Sequence, residues 1–499
     1  MKKTAGNVRH HRLYTKTVTG LAALCFLSAL TLVVPYMSAA KDKKNKSADS
    51  SKAIKGLPAQ DLTEDEAILH ALNRLAFGPK PGDLERVKEM GLQKWIERQL
   101  QPDSINDTEL DTRLDRFPTL MMSSSKLLDE FPQPQVAARR EGVSIEEYRK
   151  EQQARVQAAM QANRADGDDS NPMNDQVQTK FENMDSDANP AMDKTQGKGA
   201  GGFGNQMLNY TAIRAPQRIV AELSMAKMTR AVYSERQLEE EMVDFWYNHF
   251  NVFAAKGADR WLITSYERDA IRPHAMGKFR DLLEATAKSP AMMFFLDNWL
   301  SVDPAAWARL QQEQQQRRGM RQQRVGGGFG DGPFGRPRFP RGQSAPASGN
   351  ANDPNAKGKQ NQERGLNENY GRELMELHTL GVDGGYTQED VINVAKAFTG
   401  WTIREPRRDP EFFFNERLHD QSAKTVLGHH IHGGGMKDGE EVLDILARDP
   451  HTAHHISFEI AQRFVSDDPP SALVDRMAQT FLKTGGDIRE VLHTMIYSP

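Results

Sequence analysis

The chain of 499 residues holds a single cysteine, Cys25. That scarcity excludes disulfide scaffolds, thiolate zinc sites and iron–sulfur clusters. Apolar residues are also few: 38% of the chain is hydrophobic, against roughly 45–50% in globular domains when glycine is counted with them. Mean hydropathy is −0.67, so part of the chain is expected to lie outside any core. Neither sign of charge dominates, with a net charge of −3 and a pI of about 6.6. A dedicated nucleic-acid binder would show a basic footprint that this chain lacks. GxSxG, HExxH, Walker A and dinucleotide fingerprints are missing as well, which removes the most recognisable enzyme classes and any nucleotide or haem signal.

Only one long apolar run occurs, Val18 to Val34. Lys2, Lys3, Arg9, Arg12 and Lys16 precede it without an acid, and Pro35 opens a polar break ending in Ser38-Ala39-Ala40. This is the layout of a secretory signal peptide over 1–40, and the chain is expected to be exported, periplasmic or extracellular. An uncleaved anchor is the alternative, with membrane contact through residues 18–34 alone. Cys25 lies inside the run, so the mature chain is expected to be cysteine-free.

Three tracts are too polar to pack. Residues 41–60 form a Lys/Ser/Asp linker, 164–206 is rich in Asp, Asn, Gly and Gln, and 311–365 begins QQEQQQRRGMRQQRVGGGFG. Such segments bury too little apolar surface to offset their ordering entropy and are expected to be disordered. The last tract has ten Arg/Lys against four Asp/Glu with Phe329, Phe334 and Phe339 interleaved, a composition that also suits RNA binding. In an exported protein a solvated linker is the favoured reading, so nucleic acid is not an expected partner. The remaining segments, 61–163, 207–310 and 366–499, are expected to be parts of one domain.

Their periodicity is helical almost throughout. Thr63 with Glu66 forms a capping box ahead of Ile68, Leu72 and Leu75, and Gly91 breaks two short helices between Gly82 and Leu100. Ser234 with Gln237 suggests a second box, opening a helix that aligns Leu238, Met242, Phe245 and His249. Thr387 opens another, carrying Val391, Val394 and Phe398 toward a stop at Gly400. Helices over Asp438–Ala447, Thr452–Phe464, Ser471–Thr484 and Asp487–Tyr497 complete the chain. Strand alternation is confined to Glu411–Phe414 and Lys424–Leu427. The expected fold is all-α, a multi-helix orthogonal bundle-like domain interrupted by long insertions.

The segments ALNRLAFGPKPGDL, DFWYNHFNVF, ERDAIRPHAMGKFRDLLEATAKSPAMMFFLDN and LNENYGRELMELHTLGVDGGYTQEDVINVAKAFTGW occur in this order. Together with LHDQSAKTVLG and the C-terminal helices, they resemble the bacterial family known as domain of unknown function 1800. The resemblance covers roughly Asp61 to Pro499 apart from the insertions. It implies no established activity and carries over no functional residues. It does imply export, often beside a companion exported protein of another uncharacterised family. Similar sequences continue past Ser498-Pro499, so a C-terminal truncation is expected.

Candidate chemistry has to come from residue types. On a uniform helical wheel Asn369, Glu373, Glu376 and Leu380 share a sector flanked by Arg372, with Asn367 and Glu368 just before it. Two carboxylates at i, i+3 repel and need a cation, a metal or solvent between them. His249 is either a hydrogen-bonded core histidine or points with Asn248, Asp297, Asn298, Glu373 and Glu376 into a pocket between helices, as bundle sites do. A divalent metal is a candidate cofactor there, although the Glu-x-x-His spacing of di-metal bundles is lacking. His419 beside Asp420 suits an oriented general base. His451, His455 and Glu459 have chelating i, i+4 spacing but are read as the polar face of an amphipathic helix, and His429, His430 and His432 as a loop. Two functions remain open: an exported enzyme with an acid–base or metal-assisted hydrolytic site at His249, Asp297, Glu373, Glu376 and His419, or a non-catalytic cell-envelope binding or assembly protein.

Overall fold

The computed structural model describes residues 57, 61–165, 216–326 and 365–498. The leader, nearly all of the linker and most of both insertions lie outside the described residues. Among those described, nineteen α-helices follow in chain order. The first seven are α1 (Glu64–Leu75), α2 (Asp83–Met90), α3 (Leu92–Gln99), α4 (Thr108–Leu114), α5 (Ser124–Glu130), α6 (Pro134–Glu141) and α7 (Ile145–Ala165). A central group comprises α8 (Gln217–Tyr233), α9 (Gln237–His249), α10 (Asp259–Ser265), α11 (Phe279–Lys288), α12 (Pro290–Phe295) and α13 (Pro304–Gly326). The C-terminal group is α14 (Glu368–Met375), α15 (Gln388–Ala397), α16 (Lys437–Arg448), α17 (Pro450–Phe464), α18 (Ser471–Thr484) and α19 (Ile488–Ile496). No helix among the described residues is long and apolar enough to cross a membrane.

Local chemistry accounts for most of the boundaries. Thr63 and Glu66 form the full capping box of α1, and Thr387 with Asp390 does the same for α15. Gly91, with φ of 87°, separates α2 from α3 in a conformation that glycine adopts without a steric cost. Ser234 does not cap α9. Its hydroxyl donates to Asp107 at 2.7 Å, and the helix starts instead at Gln237. A tertiary acceptor has outcompeted the local one. Helix α13 runs to Gly326, so the tract expected to be unstructured from Gln311 begins as a helix. Gln, Arg and Ala are good helix formers, which sustain this polar segment without an apolar face.

The strands form two antiparallel hairpins. Trp401–Arg404 (β1) pairs with Glu411–Phe414 (β2), Trp401 facing Phe414, and Lys424–Val426 (β3) pairs with His429–Ile431 (β4), Lys424 facing Ile431. The second hairpin turns the expected histidine loop into a strand edge. Trp401 is fully buried, and its ring lies where any side chain at Gly439 of α16 would sit, 2.6 Å from that position.

One large core joins most of the helices, built around Trp246, Phe250, Tyr266, Phe279, Tyr370, Phe398 and Trp401, while Leu127 and Phe131 pack with Trp261, and α6 with α7, in two small clusters of their own. Helix α14 crosses α15 at Gly371, where a Cβ would meet the Val391 carbonyl at 2.8 Å. Two helices end in wide π turns, α10 over Tyr266–Ile271 and α14 over Glu376–Leu380. Thr379 Oγ1 caps the second turn by donating to the Leu374 carbonyl five residues back, at 2.7 Å. Such turns are rare and concentrate at functional positions.

Candidate functional site

The π turn at Glu376–Leu380 sets the geometry of the most chemically loaded cluster. It rotates His378 inward, to 6% exposure, and leaves its carbonyl without a helical partner, as at any helix end. His249 at the end of α9 fills that need: its Nε2 lies 3.2 Å from the His378 oxygen. The Nδ1 of the same ring lies 2.6 Å from Glu459 Oε2 on α17. Both ring nitrogens thus face acceptors, and the side chain is only 3% exposed. Edge contacts from Trp246 and Phe250 hold the imidazole in plane.

Glu459 has a second imidazole neighbour, since His455 Nε2 stands 3.6 Å from its Oε1. The ring of His455 packs against Gly381, whose φ of 81° suits glycine and where a Cβ would fall 3.1 Å from the ring nitrogen. Two imidazoles therefore face one carboxylate and a third, His378, lies against the first, with His249 6.3 Å from His378 and 6.4 Å from His455 between ring centroids. Burial and the charge of His249 push the pKa of His378 down to about 3. Burial also lowers His455, partly opposed by Glu459. For Glu459 burial acts upward, but the hydrogen bond and charge of His249 outweigh it and the carboxyl ends below its usual range. The cluster thus holds a carboxylate kept anionic, beside two imidazoles, His378 and His455, whose burial favours their neutral forms. It opens to solvent only at His455 and Glu459, which are 24% and 29% exposed. Such a site can accept a proton at His455 while Glu459 stabilises the imidazolium that forms.

The structure distributes the other candidate residues elsewhere. Glu376 accepts from the Tyr386 hydroxyl at 3.0 Å, and Arg372 donates to Gln388 at 2.6 Å. Glu373 is raised by burial and by Glu376, with Arg372 opposing. Asn369 is exposed, whereas Leu380 is buried. The wide turn, which begins at Glu376, carries Leu380 out of the sector that a uniform wheel gives it. Asn367 caps α14 through Tyr370 N and donates to the Leu296 carbonyl at 2.7 Å, and Asn248 donates back to the Asp244 carbonyl. Among the described residues His249 makes its polar contacts with the His378 carbonyl and Glu459, and not with Asp297, Glu373 or Glu376. Its carboxylate partner lies 210 positions away in sequence, on the helix face that had been read as merely polar. His451 turns away from that face to pair with Asp449 at 2.9 Å.

Asp297, in a left-handed turn with φ of 59°, binds Lys256 at 2.9 Å. Beside them Asp259 opens α10, fully enclosed and with neither carboxylate oxygen partnered. Burial pushes its pKa up to about 8, with Asp297 adding to the rise and Lys256 opposing it.

His419 is buried and pairs with Asp438, not with its neighbour Asp420: Nε2 lies 3.1 Å from Asp438 Oδ2 and Nδ1 lies 2.8 Å from the Thr399 carbonyl. Asp420 accepts from Ser422. Lys424 completes this network with no exposed side-chain surface, donating to Asp438 at 2.8 Å and to the carbonyls of Asp420 and Ser422 at 2.7 Å each. Every member is satisfied internally, which makes the network a structural lock between β3, the preceding loop and α16.

Among the described residues no three His, Asp or Glu side chains converge as a metal site. Neither a curated protein nor a solved structure matches the chain. A family model does match, over residues 70–499, and the chain accordingly belongs to the family described as Protein of unknown function (DUF1800).

Proposed function

We propose that the protein is an exported acid–base enzyme of hydrolytic type, with His455 as the proton-transferring base, Glu459 as the carboxylate that stabilises it, and His249 as the residue that positions Glu459. The observation that carries this reading is the contact of 2.6 Å between an almost completely enclosed His249 and a carboxylate whose other oxygen faces the partly exposed His455. General acid–base groups contribute about 10²–10⁴-fold to a rate. Export rests on the basic and apolar leader, and a companion exported protein is the partner that the family resemblance brings with it.

The test uses the full chain against p-nitrophenyl acetate, p-nitrophenyl phosphate and a p-nitrophenyl glycoside. Glu459→Gln is expected to lower hydrolysis of the responsive substrate by at least about a hundredfold, while Glu373→Gln leaves it unchanged. Equal rates for wild type and Glu459→Gln on all three would remove the reading. Fractionation of cells expressing the full chain tests export, with retention in the cytoplasm the contrary result. A non-catalytic envelope role is favoured by one observation, the complete internal satisfaction of His419, Lys424 and Asp438, which shows how readily this fold spends ionisable groups on packing.

A further inference from the structure

The hairpin of β3 and β4 carries three histidines that the core leaves unused. His429, His430 and His432 are exposed, while Ile431 among them is buried. Side chains alternate across an extended chain, so His430 and His432 stand on one face and His429 on the other. Accordingly the rings of His430 and His432 lie 4.7 Å apart between centroids, at 86° to each other. Among the described residues no hydrogen bond or ion pair engages either ring.

That separation is the one two imidazoles adopt on a single metal ion. With metal–nitrogen bonds of about 2.0–2.1 Å each ring centre stands roughly 3.2 Å from the ion, so two rings in neighbouring square-planar or tetrahedral positions have centres about 4.5–5.2 Å apart. Both rings are exposed and turn about their side-chain torsions without displacing a packed neighbour, which lets one nitrogen of each converge. Thr425, directly across from His430 on β3, is short and exposed, and leaves the outer side of the pair open to water.

The backbone beneath the pair is fixed from several sides. Val426 and His429 are joined by two residues only, Leu427 and Gly428, with φ of 48° and 78°, as the tightest hairpin turn requires. Leucine seldom adopts that region, and here its amide is held by donating to Asp390 Oδ1 of α15 at 2.8 Å. Asn393, one turn further along α15, donates to the Thr425 carbonyl at 2.8 Å. Val426 and Ile431 are buried, and Lys424 anchors the start of β3 through Asp438. A chelating pair on a strand held in this way is preorganised, because an arriving ion has no backbone to order.

Among the described residues no third His, Asp or Glu joins the pair, so water fills the remaining coordination positions. A donor set of imidazole nitrogens suits transition ions and disfavours Mg²⁺ and Ca²⁺, which take oxygen, and among divalent first-row ions copper stands highest in affinity. We propose that His430 and His432 form a two-histidine site for Cu²⁺, with open positions through which the ion exchanges. Neither residue belongs to the acid–base cluster, and the site does not rest on that reading.

The experiment is calorimetric titration of the full chain with CuCl2 at pH 7.5, with glycine present as a competing chelator so that single surface histidines do not register. Saturable binding of Cu²⁺ is expected, and none of Mg²⁺. His430→Asn and His432→Asn should each weaken Cu²⁺ binding at least about tenfold, since losing even an outer contact to a metal ligand costs that much, whereas His429→Asn, on the other face, should leave it unchanged. All three positions are exposed, and circular dichroism checks that the variants fold. Mass-spectrometric mapping of diethyl pyrocarbonate labelling locates the ion: one equivalent of Cu²⁺ should protect His430 and His432 and leave His429 reactive. No saturable binding, undiminished binding in the His430 or His432 variant, an equal loss in His429→Asn, or protection spread over the exposed histidines at large, which would mean adventitious copper only, would each overturn the proposal.

Discussion

Asp259→Asn should stabilise the protein, and by an amount that grows with pH. Asp259 is enclosed without a partner for either oxygen, and its pKa stands at about 8 in the fold against an ordinary 3.8. A carboxyl whose folded pKa is raised contributes its full stability below pH 3.8 and loses it as pH climbs toward 8, because the unfolded chain ionises first. Each pH unit inside that window costs about 1.4 kcal/mol. At neutral pH the accumulated cost is about 4 kcal/mol, which is a large part of the stability of an ordinary domain. Asparagine has nearly the same shape and does not titrate, so it removes the pH-dependent part and keeps the volume. Urea unfolding of the wild type and Asp259→Asn at pH 5 and pH 7 measures this directly. The difference between the two proteins should widen in favour of the variant by roughly 3 kcal/mol over those two units. A difference that stays flat with pH would mean that Asp259 is ionised and solvated, and the argument from burial would fail.

Two further outcomes follow from groups held in unusual states. The pKa of His378 is depressed from 6.5 to about 3, so its contribution is complete above pH 6.5 and is lost as pH falls. Relative to the wild type, His378→Gln should therefore lack about 2 kcal/mol of acid destabilisation between pH 6.5 and pH 5, read from parallel denaturation curves; identical slopes would refute it. Gly371→Ala places a Cβ 2.8 Å from the Val391 carbonyl at a helix crossing. Overpacking of this kind costs about 1–3 kcal/mol, more than the helix propensity that alanine adds. Thermal melts should show a lower midpoint, and a more stable variant would show that the crossing has slack.

What was legible in the sequence was the part encoded within a few residues. The Thr63–Glu66 box, the Thr387 cap, the break at Gly91 and the helix Ser471–Thr484 all stand where local chemistry puts them. Ser234 shows the limit, because its hydroxyl found Asp107, 127 positions away, and left the helix to begin without it. The burial of His249 was readable from its apolar face, but its partner Glu459 was not, since only the packing of α17 against the π turn at Glu376–Leu380 brings them together. That π turn was itself invisible: a wheel with equal steps has no place for the extra residue, so Leu380 leaves the sector in which Glu373 and Glu376 remain neighbours. The strands Trp401–Arg404 and His429–Ile431 are too short for alternation to register, and each depends on a partner strand across a turn.

Lys424 offers a use beyond packing. An amine with no exposed side-chain surface and three oxygen acceptors around it presents no lone pair to an acylating reagent. Its acylation requires the hairpin to part from α16, so the extent of labelling at this one position records how often the C-terminal half opens. Alongside the exposed lysines, which react at once, the molecule carries a built-in chemical clock for its own local unfolding.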